Sequence, residues 1–416
     1  MHAGQRELDI VIYGATGFVG RLTAEYLAKA GTGIRVGLAG RSAERLLAVR
    51  QALGAGAENW PLIVADLAQP AALAAMSART QAVVSAVGPY SRRGLPVVAA
   101  CAAAGTDYAD LTGEVPFVRQ SIDRHHKQAA DNGARIVHSC GFDSIPSDLN
   151  VYALHRRLVD DDAGELGETT FVLRAYSGGF SGGTVATMVE LMQMGWGDPK
   201  MRRMLDDPYS LSPDRSAEPE LGPQPDLPVR RGADIAPELK GLWMCGYLMA
   251  LYNTRCVRRS NALLNWAYGP QLRYTEVLSM GSSFAAPMFA TLGNVGLVSA
   301  SRFGGGYLGL LPPGLLERIM PPSDTGYDKG SRGYYKVETY TTTTRGARYV
   351  ATMTQRGDPG YAATAAMLGE SAIILACQRD RLSDRRGVLT PVAAMGDALL
   401  ARLPAAGVTI NTARLS

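Results

Sequence analysis

Gly14-Ala15-Thr16-Gly17-Phe18-Val19-Gly20 follows a short apolar run, Leu8–Tyr13, and opens a helix-like segment, Gly20–Ala30. Three glycines at this spacing have a physical use. Gly14 allows a tight turn, Gly17 lets a diphosphate approach the backbone, and Gly20 lets a helix pack close to a sheet. The N–H groups at the helix start then hold phosphate oxygens, with Ala15, Thr16, Phe18 and Val19 completing the cradle. The spacing is G-x-x-G-x-x-G rather than G-x-G-x-x-G, and a glycine triplet alone is weak. Its place after a first strand and before a strand–helix–strand pattern makes it a dinucleotide site.

The end of the second strand should select the cofactor. An NAD site usually carries Asp or Glu there, but this chain has Gly40-Arg41-Ser42. An arginine fork can pair with a 2′-phosphate, so Arg41 and Ser42 favour NADP(H), with NADPH as the reductant. Asp66-Leu67 is placed to flank an adenine, although Asp66 would serve equally as a helix N-cap. Ser85-Ala86-Val87-Gly88-Pro89-Tyr90 ends the fourth strand, where ligands of open sheets sit. Ala86, Val87, Gly88 and Pro89 should lie along the nicotinamide ribose. Tyr90 could donate a proton or simply pack, and packing is the simpler expectation.

Other chemistries lack their residues. No tyrosine lies four positions before any of the six lysines, and there is no H-E-x-x-H or Cys/His ligand cluster. His125-His126 sits in a polar helix and should be exposed. No metal is expected. The net charge of +4 and the absence of a Lys/Arg run argue against nucleic acid as a partner. The cysteines number five, never as C-x-x-C, and the N-terminus has no apolar signal core. Both point to a reducing, cytoplasmic location.

With 46% hydrophobic and 19% charged residues, the 416-residue chain is globular and long enough for two or three domains. Strand-like and helix-like runs alternate through residues 1–150. Besides Leu8–Tyr13, the strands are Ile34–Ala39, Leu62–Ala65, Ala82–Val87, Tyr108–Leu111 and Ala134–Ser139. Ala43–Leu53, Ala71–Ala78, Leu95–Ala104 and Val118–Asn132 read as helices. Continuous apolar strands between helices predict an α/β fold, a Rossmann-type doubly wound parallel sheet. Residues 151–356 read as a second, α+β domain. It holds a strand at Thr169–Tyr176, a helix at Val185–Met194, a Pro/Asp-rich excursion over Asp206–Glu238, and a hairpin of Tyr334–Arg345 and Arg348–Thr354 turning at Gly346. Residues 357–416 contribute helices at Thr364–Cys377 and Pro391–Leu403, the latter capped by Thr390.

An apolar region, 241–316, stands apart. Val277–Ser301 and Phe303–Leu316 carry no charge, but Gly304-Gly305-Gly306 and Pro312-Pro313 make a straight membrane helix poor. Two readings stay open: a buried core with flexible hairpins, or an apolar tunnel or membrane-facing lid for a greasy substrate.

Gly14–Gly20, Val87-Gly88-Pro89-Tyr90, Tyr108-Ala109-Asp110-Leu111-Thr112-Gly113-Glu114 and Gly141-Phe142-Asp143-Ser144-Ile145-Pro146-Ser147-Asp148 resemble saccharopine dehydrogenase-like oxidoreductases. With Ser177–Thr184 and Gly357-Asp358-Pro359-Gly360-Tyr361, the whole chain is most similar to the mycobacterial trans-acting enoyl reductases of that family. The resemblance implies NADPH-dependent reduction of a carbon–carbon double bond in a hydrophobic polyketide or lipid acyl chain, carried on a polyketide synthase partner. It also implies that the C-terminal helices, 357–416, return to the first domain. It assigns no catalytic acid. The chemistry asks for donors to a thioester oxygen as enolate charge develops, and Ser181 and Thr184 in the glycine-rich turn are candidates; an ordinary helix-entry turn is the alternative. Asp143 and Ser144 would fix the cofactor end of the pocket, or Asp143 caps a helix. Asp110, Thr112 and Glu114 would shape the same cleft, or form a capping box. A homodimer and a peripheral contact at the inner face of the plasma membrane are compatible with the sequence. Competing functions are a saccharopine-reductase-like enzyme on an amino-acid-derived substrate and a non-catalytic NADP-binding protein at a membrane surface.

Overall fold

The computed structural model describes residues 6–30, 33–177, 197–309 and 333–416, with the side chains of 304–309 left aside. Two compact units emerge: Met1–Ile145 with Gly360–Ala406, and Pro146–Pro359 with Gly407–Ser416.

The first unit is built on β1 (Leu8–Tyr13), β2 (Val36–Gly40), β3 (Leu62–Val64), β4 (Thr80–Ser85), β5 (Asp107–Asp110) and β6 (Arg135–Val137). All pair in parallel in the order β6-β5-β4-β1-β2-β3, so the strand order reverses between β1 and β4. Ile10, Val11 and Ile12 are all fully buried, which is why β1 is apolar without alternation: both faces of the sheet are covered. The connecting helices are α1 (Phe18–Lys29), α2 (Ala43–Leu53), α3 (Pro70–Ala78), α4 (Tyr90–Arg93), α5 (Leu95–Ala104) and α6 (Val115–Asp131). This is the doubly wound architecture that the sequence predicts.

The second unit contains α7 (Ile145–Asp160), whose first residue lies at the division, β7 (Leu166–Ser177), α8 (Pro199–Asp206), β8 (Arg230–Arg231), β9 (Trp243–Gly246), α9 (Ala250–Leu263), β10 (Arg273–Ser279), α10 (Ala286–Gly309), β11 (Tyr334–Thr343) and β12 (Arg348–Arg356). Its sheet is mixed: β7 and β10 run parallel, while β11, β12 and β9 join antiparallel. The β11–β12 hairpin turns at Gly346, at φ 81°. Val172, Ala236, Leu239, Met244, Val277 and Tyr340 form an apolar cluster.

The Asp206–Glu238 excursion is tied down by three buried arginines of α9. Arg255 donates to Asp226 at 2.7 Å and to the Leu205 carbonyl, Arg258 to the Pro208 carbonyl, and Arg259 to the Leu211 carbonyl. Buried guanidinium groups need partners, and here backbone carbonyls supply most of them.

Several expectations change. The C-terminal segment 357–416 is not helices of the first unit alone. α11 (Thr364–Cys377) and α12 (Pro391–Arg402) belong there, and β13 (Gly387–Leu389) adds a seventh parallel strand beside β6. β14 (Thr409–Arg414) instead completes the second sheet against β12, because its short polar–apolar run suits a half-exposed edge. The expected break at Gly304–Gly306 is absent, and α10 continues to Gly309. Glycine weakens a helix by about 1 kcal/mol per residue but does not forbid one. His126 is half-buried, accepting the Val388 amide at 3.1 Å. Thr390 caps α12 as expected, accepting the Ala393 amide at 3.3 Å. Among the described residues, Pro359–Cys377 alone is long and apolar enough to cross a membrane, and 83% of its apolar window is buried inside the protein. The Val185–Met194 helix lies outside the described residues.

Candidate functional site

The glycine loop occupies the carboxyl end of β1. Gly14 takes φ +85°, a conformation that L side chains rarely adopt, and its amide and that of Ala15 donate to the Ala39 carbonyl. The Gly17 amide closes the turn onto the Gly14 carbonyl at 2.9 Å, and Gly17 is the N-cap of α1, with no side chain capping the helix. The opening turn of a helix carries amides that its own carbonyls cannot satisfy. A Cβ on Gly14 would collide with Val87 Cγ2, and one on Gly20 with the Gly14 carbonyl oxygen. The loop is thus a bare backbone concavity, held from β4 by Val87 and by the Ala86 amide, which donates to the Tyr13 carbonyl at 3.0 Å. These residues fit the diphosphate of a dinucleotide, which needs backbone amides, a helix start and no side chains in the way.

The neighbouring strand ends complete the edge. Arg41, just past β2, is exposed and has no ion-pair partner among the described residues; Thr16 lies beside Gly40. Burial raises Tyr13 to about 12, with Asp66 adding to the rise and Arg41 opposing it, which places both charges at this end of the sheet. Ser42 is the N-cap of α2, its hydroxyl accepting the Arg45 amide at 3.3 Å. Asp66 accepts the Ala68 amide at 2.8 Å in a turn before α3 and is not that helix's N-cap, which is Gln69; Leu67 beside it is half-buried. Past β4, Gly88 is exposed and joined to Pro89 by a cis peptide bond.

Tyr90 is committed to the backbone. Its hydroxyl donates to the Ser85 carbonyl at 2.9 Å and accepts the Leu111 amide at 3.2 Å, and it is 5% exposed. Burial, helped by Asp110, pushes it well above 10. Packing and bracing, rather than proton donation, are what this geometry serves. Glu114 braces the same segment: its carboxylate accepts the amides of Tyr90 and Ser91, and the Ser91 hydroxyl.

One polar network escaped the sequence reading. Asp110 Oδ2 lies 2.7 Å from His138 Nδ1, and His138 Nε2 lies 2.8 Å from Ser121 Oγ. With the hydrogen on Nδ1, the ring donates to Asp110 and Nε2 is left to accept from the Ser121 hydroxyl. The order of groups is that of a nucleophilic triad, yet Ser121 is fully buried and has no access to substrate. Asp110 Oδ1 also accepts the amides of Thr112 and of Ser139, whose φ is +67°. The network therefore ties together the carboxyl ends of β5 and β6. A lone histidine in an apolar strand carries no signal of this kind; only the pairing of strand ends shows it. Beyond it, the Phe142 amide donates to Thr364 Oγ1 at 3.3 Å, and half-buried Asp143 sits in the Gly141–Ile145 turn. Phe18 packs edge-on against Tyr361 at 5.0 Å. Ser181 and Thr184 lie outside the described residues, and no His/Cys/Asp/Glu group among the described residues could hold a metal ion.

Residues 10–137 match the family model described as the saccharopine dehydrogenase NADP binding domain. Over its full length and theirs, the chain is 62% identical to a relative from Mycobacterium tuberculosis and 57% identical to the trans-acting enoyl reductase of Mycobacterium ulcerans. Its fold is similar to that of the apo saccharopine dehydrogenase (L-Glu forming) of Saccharomyces cerevisiae, with a TM-score of 0.57, 14% identity, and coverage of 98% of this chain and 99% of that one. The glycine cradle, the matching NADP-binding domain and the full-length relatives agree: the chain belongs to the trans-acting enoyl reductases, NADP-dependent oxidoreductases on a saccharopine dehydrogenase-like fold.

Proposed function

We propose that the protein uses NADPH to reduce the carbon–carbon double bond of a conjugated thioester on a hydrophobic acyl chain presented by a polyketide synthase partner. The observation that carries the cofactor choice is Arg41: an exposed guanidinium at the end of β2, with no carboxylate in Gly40-Arg41-Ser42 to accept from a ribose 2′-hydroxyl. Names of full-length relatives support the reaction class.

When bound, the reduced nicotinamide supplies the hydride. The chain's own work is binding and positioning. Gly14–Gly20 receives the diphosphate through backbone amides, and Arg41 pairs with the 2′-phosphate through its planar fork. Ala86, Val87 and Gly88 border the ribose next to the nicotinamide, and the braces from Tyr90 and Glu114 fix that segment's path. A rigid edge of this kind raises the effective concentration of the reacting groups. The proton that balances the hydride is drawn from solvent through a donor on this chain; Tyr90, with its hydroxyl engaged twice, is not that donor.

The test is oxidation of NADPH by the purified protein, followed by nicotinamide absorbance, across enoyl thioesters of increasing chain length, each free and loaded on a carrier protein. Turnover that grows with chain length and needs NADPH supports the reading. Tight NADPH binding with no turnover on any thioester would replace it with a binding role, and turnover on an amino-acid-derived imine with a saccharopine-reductase-like one.

A further inference from the structure

Half of the large apolar side chains exposed among the described residues lie between Phe284 and Phe303. Phe284 is fully exposed, and Met288, Phe289, Leu292, Val295 and Phe303 are each more than half exposed. Met288, Leu292 and Val295 follow helical spacing along α10, so they share one face. The opposite face is fixed to the protein: Ala286 and Ala290 are buried, and the Asn294 side chain accepts the Gly246 amide and donates to the Leu227 carbonyl, both at 3.1 Å. The outer face therefore cannot turn inward without breaking these bonds. Its exposed hydroxyl, on Thr291, is spent on the Pro287 carbonyl at 2.8 Å.

The charge pattern beside this face is specific. Val277 through Ser301 carries none. Cations begin where the apolar run ends, at Arg302, and α8 brings more alongside. Arg202 donates to the Ser301 carbonyl at 2.9 Å, anchoring α8 there, and Lys200 and Arg203 are exposed on the same helix. Asp206 is paired with Arg202 and Asp198 caps α8, while Lys200, Arg203 and Arg302 have no ion-pair partner among the described residues.

We propose that the outer face of α10 up to Phe303, together with Phe284 just before the helix, docks on the surface of a lipid bilayer with anionic headgroups. Apolar side chains with no competing polar groups enter the acyl boundary, and Lys200, Arg203 and Arg302 meet the headgroup phosphates at one end. A soluble monomer rarely exposes so continuous an apolar surface, and a specific protein groove would require a polar rim on both sides rather than cations at one end. This surface belongs to the second unit, and the proposal does not depend on the proposed reaction.

The experiment uses the full chain in co-sedimentation with vesicles of phosphatidylcholine alone and of equal phosphatidylcholine and phosphatidylglycerol, with light scattering in parallel. The intact protein should bind the anionic vesicles, more weakly as salt rises. Phe284→Ser combined with Leu292→Ser should weaken binding to both vesicle types by about tenfold or more. Arg302→Glu, which takes the three-cation cluster from +3 to +1, should reduce the preference for anionic vesicles and leave binding to phosphatidylcholine vesicles unchanged. Unchanged NADPH affinity in each variant shows that it folds. No vesicle binding by the intact protein, or binding untouched by these substitutions, overturns the proposal. So does a dimer that Phe284→Ser with Leu292→Ser dissolves in the absence of vesicle binding, which would make this face a contact between copies.

Discussion

Glu114 holds Tyr90 by the backbone: the Tyr90 amide donates to Glu114 Oε1 at 2.8 Å, and the next amide, of Ser91, donates to Oε2 at 2.7 Å. Both oxygens of a buried carboxylate are thus spent on the start of α4, two residues past the exposed Gly88. A carboxylate at a helix start also suits the partial positive charge there.

Removing this brace should loosen the segment while leaving its side chains in place. Glu114→Ala leaves two amides without their acceptor, at about 1–3 kcal/mol for each that stays buried and unmet. We expect a lower Tm and an NADPH Kd raised by about tenfold, whereas Glu114→Gln, which keeps one accepting oxygen, loses less. Denaturation and fluorescence titration of NADPH check this. Equal Kd values in all three proteins would mean that the Gly88–Ser91 segment does not border the cofactor.

Gly14 and Gly20 test the cradle in different ways. Gly14→Ala meets both a positive φ and Val87 Cγ2; Gly20→Ala meets a backbone oxygen, that of Gly14, which cannot swing aside as a side chain can. Gly20→Ala should therefore push α1 away from the loop and abolish measurable NADPH binding at some cost in stability. Gly407→Ala, at φ +83° with open space around it, carries backbone strain alone and should lose stability with NADPH binding intact. Calorimetric titration with parallel melting curves separates the two. A Gly20→Ala protein that binds NADPH normally would refute the diphosphate assignment.

Arg41→Asp should reverse the nucleotide preference. Charge-assisted bonds from a guanidinium to a phosphate contribute about 1.5–3 kcal/mol, so their loss lowers NADPH affinity by about 10- to 100-fold. The new carboxylate can accept from a ribose hydroxyl and should improve NADH. The ratio of the two Kd values is the readout. A ratio unchanged by the substitution would leave Arg41 as a solvated surface residue.

Much of this edge is legible in the sequence because local rules and tertiary demands coincide there. Gly14–Gly20, the apolar run Leu8–Tyr13 and the Thr390-Pro391 cap each announce themselves within a few residues, and the strand and helix bounds follow. What stayed hidden depends on partners far along the chain. His138 gains its meaning from Asp110 and Ser121, and neither neighbours it in sequence. Gly387–Leu389 is too short for a period and becomes a strand only because β6 offers an open edge. The Asp206–Glu238 stretch reads as irregular, and what orders it is a row of arginines on a later helix. The apolar run after Val277 resolves into a strand end and a helix for the same reason: Asn294 pins that helix to β9 and the Leu227 carbonyl, bonds that composition cannot show.

The second unit carries a titrating group in its interior. Glu276 on β10 is fully buried; Asn253 Nδ2 donates to Oε2 at 3.1 Å and Tyr274 Oη to Oε1 at 2.8 Å. Burial raises its carboxyl from 4.5 to about 7, against the hydrogen bonds from Ser147, Tyr274 and Asn253 and with a further push from Asp226. A carboxyl whose folded value lies above its unfolded one stabilises the fold in full below pH 4.5 and progressively less as pH rises toward 7, beyond which that contribution is gone. The change amounts to about 3 kcal/mol. The Tm should therefore fall between about pH 5 and about pH 8. Glu276→Gln keeps the shape and cannot ionise, so its Tm should change less over the same range and exceed that of the unsubstituted protein at the alkaline end. Melting curves of both proteins at a series of pH values decide the point: parallel profiles would mean that Glu276 stays charged in the folded protein, and that its donors outweigh its burial.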